Sequence, residues 1–374
     1  MKKFVRITAM IFTVLLAVAY IICSLAPYIH PEKFSLTSIL GLAYLPVLIV
    51  FSIVIITWFI FKRRVGFILL FILLIGYKGL FSTISFNVFA GEWQPEKDSS
   101  TIRVLSWNVN RLGSPYTVAD TPASLRHQML DFIFSVDADI ICFQDFVLSE
   151  TKDNTISFVN NIATILDRGK FTSSYFPFYY EYEGSNYTDK IGVMIFSKYP
   201  AIDSGSFQIS QHERSGYIDM LINKKPVRVY AAHLTSMSLW PNDRNETGVD
   251  YLKGDSTKLK AQTLFSKLID FGKLHASEAE VLKQHINQSP YPVILSADIN
   301  SVPSGYVYHH LRSGLNDCFL EGGFGNGGTY NRLVLKPRID VLFHSDQLEV
   351  IQFTRPKKLF SDHYPLIADF KMKE

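Results

Sequence analysis

Six short polar islands interrupt otherwise apolar, strand-like runs of this chain, and their residue types suit chemistry on a phosphate ester. They are Ser106-Trp107-Asn108-Val109-Asn110, Gln144-Asp145, His233-Leu234, Asp298-Ile299-Asn300, Arg338-Ile339-Asp340 and Ser361-Asp362-His363. Between them they supply amides, carboxylates and two imidazoles. Carboxylate and amide oxygens hold hard divalent cations, and such a cation with a positioned water can attack a phosphate ester. Asp298 and Asn300 are two apart, so in an extended segment they face the same side and can address one water.

The islands need rigid elements beneath them, and a strand end is where a side chain can enter a shared cleft while its backbone stays fixed. The pattern from Thr101 onward alternates strands and helices. Strands are expected over 102–107, 139–143, 192–196, 217–222, 227–233, 293–297, 341–343 and 365–370. Residues 223–226 (Asn-Lys-Lys-Pro) read as a hairpin turn. Helices are expected over 124–136, where Leu125, Met129, Phe132, Ile133 and Val136 share a face, over 158–166, and over 259–286 with a break near Gly272. Mixed elements at this length point to a layered α/β sandwich.

The order and context of the islands resemble the endonuclease/exonuclease/phosphatase superfamily, over about residues 102–370. The resemblance implies a four-layer α/β/β/α sandwich with its active site at one end of the paired sheets. It also implies roles. Asn108, Asp145 and Asp362 would be metal ligands, for Mg2+ or alternatively Mn2+. Asp298 would orient or deprotonate the attacking water and Asn300 would hold a phosphoryl oxygen. His233 and His363 would donate protons to oxygens that gain charge, with Asp340 behind His363 to fix its tautomer. Asn110 and Tyr330, the latter in Gly328-Thr329-Tyr330-Asn331, would touch substrate. The chain departs from the pattern in two places. Asp145 stands where the family carries Glu, one methylene longer, and Ala297 stands where it carries Gly.

A different composition precedes this part. Residues 1–90 hold eight Lys/Arg and one acid, against 29 basic and 33 acidic residues in 91–374. The mild net charge of +3 therefore belongs to the first part and gives no support for a DNA-binding surface. Three apolar runs, about 7–26, 39–61 and 65–86, are each long enough to span a bilayer. The first exceeds the usual h-region of a signal peptide and reads as a retained helix. Lys2, Lys3, Arg6 and the tight Lys62-Arg63-Arg64 link lie on the cytoplasmic side by the positive-inside rule. Three crossings then put the catalytic domain outside, on a bacterial cytoplasmic membrane. Lys78 reads as a snorkelling residue. The expected organisation is a transmembrane region over 1–90, a linker over 91–101 and a catalytic domain over 102–374. Cys23, Cys142 and Cys318 are too few for a disulfide framework.

The expected partners are a lipid bilayer and a phosphodiester substrate, either a lipid headgroup, an oligonucleotide or a nucleotide; no obligate protein partner is evident. A non-catalytic, membrane-tethered binding module on a degenerate phosphoesterase fold is the alternative reading.

Overall fold

The computed structural model describes residues 2–88, 91–113, 124–152, 160–236 and 257–373. The chain divides into two compact units. One comprises residues 1–84, 237–276 and 301–310, and the other residues 85–236, 277–300 and 311–374.

The first unit is built on apolar helices: α1 (Lys2–Ser24), α2 (Thr37–Phe61), α3 (Arg63–Ile75) and α4 (Tyr77–Thr83). At 1.5 Å per residue, α1 and α2 exceed the roughly 30 Å hydrocarbon thickness. Both are long and apolar enough to cross a membrane. The third apolar run differs from its sequence expectation. It is not one helix but two, bent by 71° at Gly76. The thirteen residues of α3 rise only about 20 Å, so α3 alone falls short of a bilayer. Across the break Gly76 N donates to Leu73 O and Leu80 N to Gly76 O, both at 3.2 Å. Two buried tyrosines add a second donor to the same carbonyls: Tyr20 donates its hydroxyl to Leu73 O at 2.9 Å and Tyr44 donates to Gly76 O at 3.4 Å. Lys78, on α4, holds its ammonium 5.5 Å from the Tyr28 ring. Residues 301–310 pack within this unit. Ser304 donates its hydroxyl to Gly41 O at 2.8 Å, and Ser82 donates to Pro303 O at 3.1 Å.

The second unit holds the strands. A two-stranded ribbon joins β1 (Ser85–Phe86) to β12 (Phe324–Gly325). The other strands are β2 (Ile102–Asn108), β3 (Ile140–Thr151), β4 (Ser173–Tyr175), β5 (Phe178–Glu183), β6 (Tyr187–Ser197), β7 (Ala201–Gln208), β8 (Arg214–Ile222), β9 (Lys225–His233), β10 (Val293–Asp298), β11 (Asn316–Asp317), β13 (Asp340–His344), β14 (Leu348–Thr354) and β15 (Leu366–Met372). One sheet runs β11-β13-β10-β9-β8-β7; the other runs β14-β15-β2-β3-β6-β4, with β5 also on β6.

Side chains from both sheets share one core. Ile102, Val104, Ile140, Val193 and Ile195 of the second sheet meet Ile218, Val229, Ala231, Ile294 and Leu342 of the first. On the far face of the second sheet, Leu105, Trp107, Phe143 and Phe196 pack with Met129, Leu130 and Ile133 of α5 (Leu125–Ser135) and Ile165 of α6 (Asn161–Gly169). The N-terminus of α5 is capped by Ser124, whose hydroxyl accepts from His127 N. The fourth layer is the C-terminal part of α7 (Thr257–Asn287), where His285 stacks on Phe207 at 3.6 Å and accepts, through its carbonyl, from the Tyr230 hydroxyl. The expected four-layer α/β/β/α sandwich is present. Helix α7 runs through Gly272 without the expected break. The β8–β9 hairpin turns at Asn223 and Lys224, both at positive φ (50° and 66°), as a two-residue turn with the right-handed strand twist requires. Phe158, in the expected second helix, lies outside the described residues; that helix begins at Asn161, capped by Asn160.

Candidate active site

Strand register brings the islands to one end of the two sheets. In the first sheet Asp298 ends β10, level with His233 on parallel β9 and with Asp340 on antiparallel β13. An acid is thus flanked on one side by an imidazole and on the other by a second acid. In the second sheet Asn108 ends β2, level with Gln144 on parallel β3. The next residue, Asp145, sits in a register shift between Phe143 and Phe146 and adopts φ 50°. A bulge of this kind re-aims a side chain, and here it turns the short carboxylate of Asp145 toward Asn108. Asn300 (φ 45°) and Asn110 (φ 42°) are also left-handed, a region where Asn and Asp are tolerated best. Arg111 and Leu112 follow at φ 63° and 51°. Strained backbone is therefore concentrated beside the islands.

The side chains converge across the two sheets. Asn108 Nδ2 donates to Asp145 Oδ2 at 3.2 Å and to Asp298 Oδ2 at 3.0 Å, so one amide holds two acids. Asn300 N donates to Asp298 Oδ1 at 3.0 Å, and Asn300 Nδ2 donates to Leu234 O at 2.8 Å. His233 Nε2 lies 3.8 Å from Asp145 Oδ2, 3.9 Å from Asp298 Oδ2 and 3.5 Å from Asn300 Nδ2. His363 Nδ1 faces Asp340 Oδ2 at 2.9 Å, with Asp298 Oδ2 at 3.6 Å. The expected pairing of His363 with Asp340 is thus present as a buried hydrogen bond.

The remaining sequence-predicted residues stand at the edge. Asp362 accepts from Asn110 Nδ2 at 3.3 Å and from Ser361 Oγ at 3.3 Å; among the described residues it reaches Asn108 only through these neighbours. Tyr330 forms an isolated bridge with His363, and its ring lies 5.1 Å from the imidazole. The backbone of the last island is pinned from below, by Trp107 Nε1 donating to His363 O at 2.9 Å and Ser361 Oγ donating to Asn108 O at 2.8 Å.

Two participants escaped sequence reasoning. Glu213 is almost fully buried, with Oε1 3.3 Å from His233 Nδ1. It plays toward His233 the part that Asp340 plays toward His363. Tyr179 donates its hydroxyl to Asp145 Oδ1 at 2.7 Å and lies 3.4 Å from His233 Nδ1. Glu213 falls in an ordinary polar run, Gln211-His212-Glu213-Arg214, and Tyr179 in an aromatic one; neither run carries a signal at the sequence level.

Burial and like charge govern the protonation. Burial, then Asp340, pushes the Asp298 carboxyl up to about 6, against the pull of both histidines and Asn108. Burial disfavours the His363 cation, yet Asp340, Asp298 and Asp362 outweigh it and push its pKa up to about 10. Burial likewise opposes the His233 cation and is outweighed by Asp145, Glu213 and Asp298, so His233 is raised well above its ordinary value. Burial lifts Glu213 to about 8 despite His233. Burial would raise Asp145, but His233, Tyr179, Asn108 and His363 together lower it. The site thus keeps imidazolium donors beside an ionised Asp145.

The donor set suits a divalent cation. One ligand atom each of Asp298, Asp340 and His363 lie within 4.8 Å of one another; with His363 held as the imidazolium by Asp340, the carboxylate oxygens are the donors this cluster offers. Asp340 Oδ1 is buried without a hydrogen-bond partner among the described residues. Asp145 and Asp298 are separated only by the Asn108 amide. Hard oxygen donors so arranged fit a hard cation.

Paired sheets that carry acids, amides and two acid-backed imidazoles at one end define a phosphoesterase-type α/β sandwich. Residues 105–363 match the endonuclease/exonuclease/phosphatase family, and the chain belongs to it. Members of that family are hydrolases of phosphodiester bonds. Residues 2–83 match a family described only as a domain of unknown function. The fold is similar to an endonuclease/exonuclease/phosphatase from Beutenbergia cavernae (TM-score 0.52, 14% identity, 73% of this chain and 72% of that one). A family protein from Leptotrichia buccalis (TM-score 0.46, 17% identity, 72% and 100%) and the human Nocturnin catalytic domain with bound sulfate (0.48, 16%, 76% and 97%) are also similar. No curated protein matches the chain significantly.

Proposed function

We propose that this chain is a membrane-anchored, divalent-cation-dependent phosphodiesterase that hydrolyses its substrate by in-line attack of water. The observation that carries the reading is Asp298, held in register between His233 and Asp340 with His363 bonded behind it. Asn108 and Asp145 would hold the cation, Mg2+ or alternatively Mn2+, with Asp362 behind Asn110. When bound, such an ion neutralises the phosphoryl oxygens and the departing oxygen. Asp298 orients the attacking water and accepts its proton. Asn300, fixed by Leu234 O, holds a phosphoryl oxygen. His233 and His363, kept protonated chiefly by Asp145 and Asp340, donate to the oxygens that gain charge. Asn110 and Tyr330 line the substrate's approach. General acid and base assistance of this kind is worth about 100- to 10,000-fold.

The positive-inside rule favours an extracytoplasmic catalytic domain, with the α3–α4 pair counted as one crossing. A membrane-impermeant maleimide on intact cells would test this, since a cysteine at Ser204, exposed in the structure, should label without permeabilisation. The reaction is tested by hydrolysing a model diester in 18O-labelled water with the full-length protein. The label should enter the phosphomonoester product; label in the alcohol product alone would overturn water attack at phosphorus.

A further inference from the structure

Two loops grow directly out of the His363 edge. Residues 331–336 follow Tyr330, and residues 355–360 precede Ser361. They are joined at their bases. Asn331 N donates to Asp362 O at 2.8 Å and Asn331 Nδ2 to Ser361 O at 2.9 Å. Tyr364 lies between them, 5.7 Å from the Lys336 ammonium and 5.1 Å from the Arg355 guanidinium. The first loop is a formed structure. Thr329 N and Tyr330 N both donate to Pro337 O, and Lys336 N donates to Leu333 O. A Cβ on Gly328 would lie 1.9 Å from Lys336 O, so only glycine lets the loop close.

What these loops present to solvent is unusual for a soluble surface. Val334 is 97% exposed and Leu359 76%. They are the two most exposed large apolar side chains among the described residues of this unit, and Leu333 and Leu335 flank Val334. Around them stand Arg332, Lys336, Arg355, Lys357 and Lys358, and neither 331–337 nor 354–360 contains an acid. Arg355 Nη1 is buried without a hydrogen-bond partner among the described residues. Apolar tips ringed by cations are the composition of a segment that sits in a lipid interface. The apolar atoms enter the acyl boundary while the cations stay at headgroup phosphates. An oligonucleotide would use the cations but would leave four exposed aliphatic side chains without a partner. Helices of the same chain are long and apolar enough to cross a membrane.

We propose that the 331–336 and 355–360 loops seat on an anionic lipid leaflet, which delivers a lipid-headgroup phosphodiester to the site beside His363. The substrate part rests on the phosphodiesterase reading above; the seating does not. Arg355 and the lysines bind headgroup phosphates, and Leu333, Val334, Leu335 and Leu359 enter the leaflet.

The test uses the full-length protein in nanodiscs, with Val334→Cys carrying an environment-sensitive fluorophore; Cys23, Cys142 and Cys318 are buried and do not compete for the label. Emission should move to shorter wavelength in phosphatidylglycerol nanodiscs and be quenched by nitroxide-bearing lipid. Water-like emission that the nitroxide does not quench would overturn the seating, whether or not any diester is hydrolysed. In a second arm, Leu333→Asp with Val334→Asp should lower phosphatidylglycerol headgroup hydrolysis by roughly tenfold or more while leaving hydrolysis of a soluble diester unchanged. Equal loss on both substrates, or no loss on either, would overturn the delivery role. Wild-type protein that cleaves oligonucleotides but not phosphatidylglycerol would overturn the lipid substrate and leave the fluorescence result to decide the seating.

Discussion

Asp340→Asn removes the hydrogen-bond partner of His363 at nearly constant volume, and its effect can be worked from the site. His363 is pushed up to about 10 from an ordinary 6.5, a difference worth about 5 kcal/mol between its two protonation states. Burial opposes that rise, and Asp340 is the largest contribution in its favour, ahead of Asp298 and Asp362. Asp340 is also the main neighbour that, after burial, lifts Asp298 to about 6. Neutralising Asp340 therefore lowers both values. The alkaline limb of kcat/KM, set by loss of the His363 proton, should move down by at least about one pH unit. The acidic limb, set by protonation of Asp298, should move down with it. The rate at the optimum should fall by about 100- to 10,000-fold, because the imidazole loses its orienting acid as well as its charge. The assay is a pH–rate profile from pH 4 to about 10.5 on a soluble diester, using full-length protein and checking thermal stability alongside. A full-rate variant, or a slow one with both limbs in place, would refute the role assigned to Asp340.

Other outcomes follow from the same geometry. Glu213→Gln should slow turnover through His233 and also flatten the pH dependence of stability. Glu213 holds its proton up to about 8 in the folded state, against an ordinary 4.5. Between those values the folded protein binds the proton and the unfolded chain does not, so stability falls as pH rises through that window. The wild-type melting temperature should drop across pH 5–8 more steeply than the variant's. Asp145→Glu should lower kcat by about 100-fold, because the added methylene displaces a carboxylate already held by Tyr179 and Asn108; a gain in turnover would mean that the bulge leaves Asp145 short of its task. Tyr44→Phe, which removes the second donor to Gly76 O and leaves it with Leu80 N alone, should cost about 1 kcal/mol in a thermal melt in detergent and leave the soluble-diester rate unchanged.

The catalytic islands were legible because each ends, interrupts or immediately precedes a buried strand. A strand such as β2, buried along its whole length, shows no alternation, so a polar pair at its end stands out. The pairing of Asp298 with His233 and Asp340 was not legible, since register between distant strands leaves no local mark. Glu213 and Tyr179 were invisible for a related reason: burial of a carboxylate or a phenol is decided by tertiary packing. The bulge that re-aims the shorter carboxylate of Asp145 left no local mark either. In the membrane part the uniformly apolar third run concealed its break. Gly66, Gly76, Lys78 and Gly79 all interrupt it without marking which one bends, and the tyrosines that bond the carbonyls at the bend come from α1 and α2. Conversely, Gly272 suggested a break in α7 that the structure lacks, because one glycine costs a long helix only about 1 kcal/mol. Strands β4, β5, β7 and β14 were missed, their mixed aromatic, acidic and small residues giving no clear period.

The central claim is that the acid- and imidazole-lined end of the two sheets hydrolyses phosphodiesters with a divalent cation. Its most direct test is release of p-nitrophenol from bis-p-nitrophenyl phosphate by the full-length protein in detergent micelles, with magnesium or with a chelator, beside His363→Ala. The account predicts release that needs magnesium and is lost in the variant. Release that persists in chelator or in His363→Ala would contradict it, as would a folded, magnesium-loaded wild-type protein that turns over neither this diester nor any lipid or nucleic-acid diester.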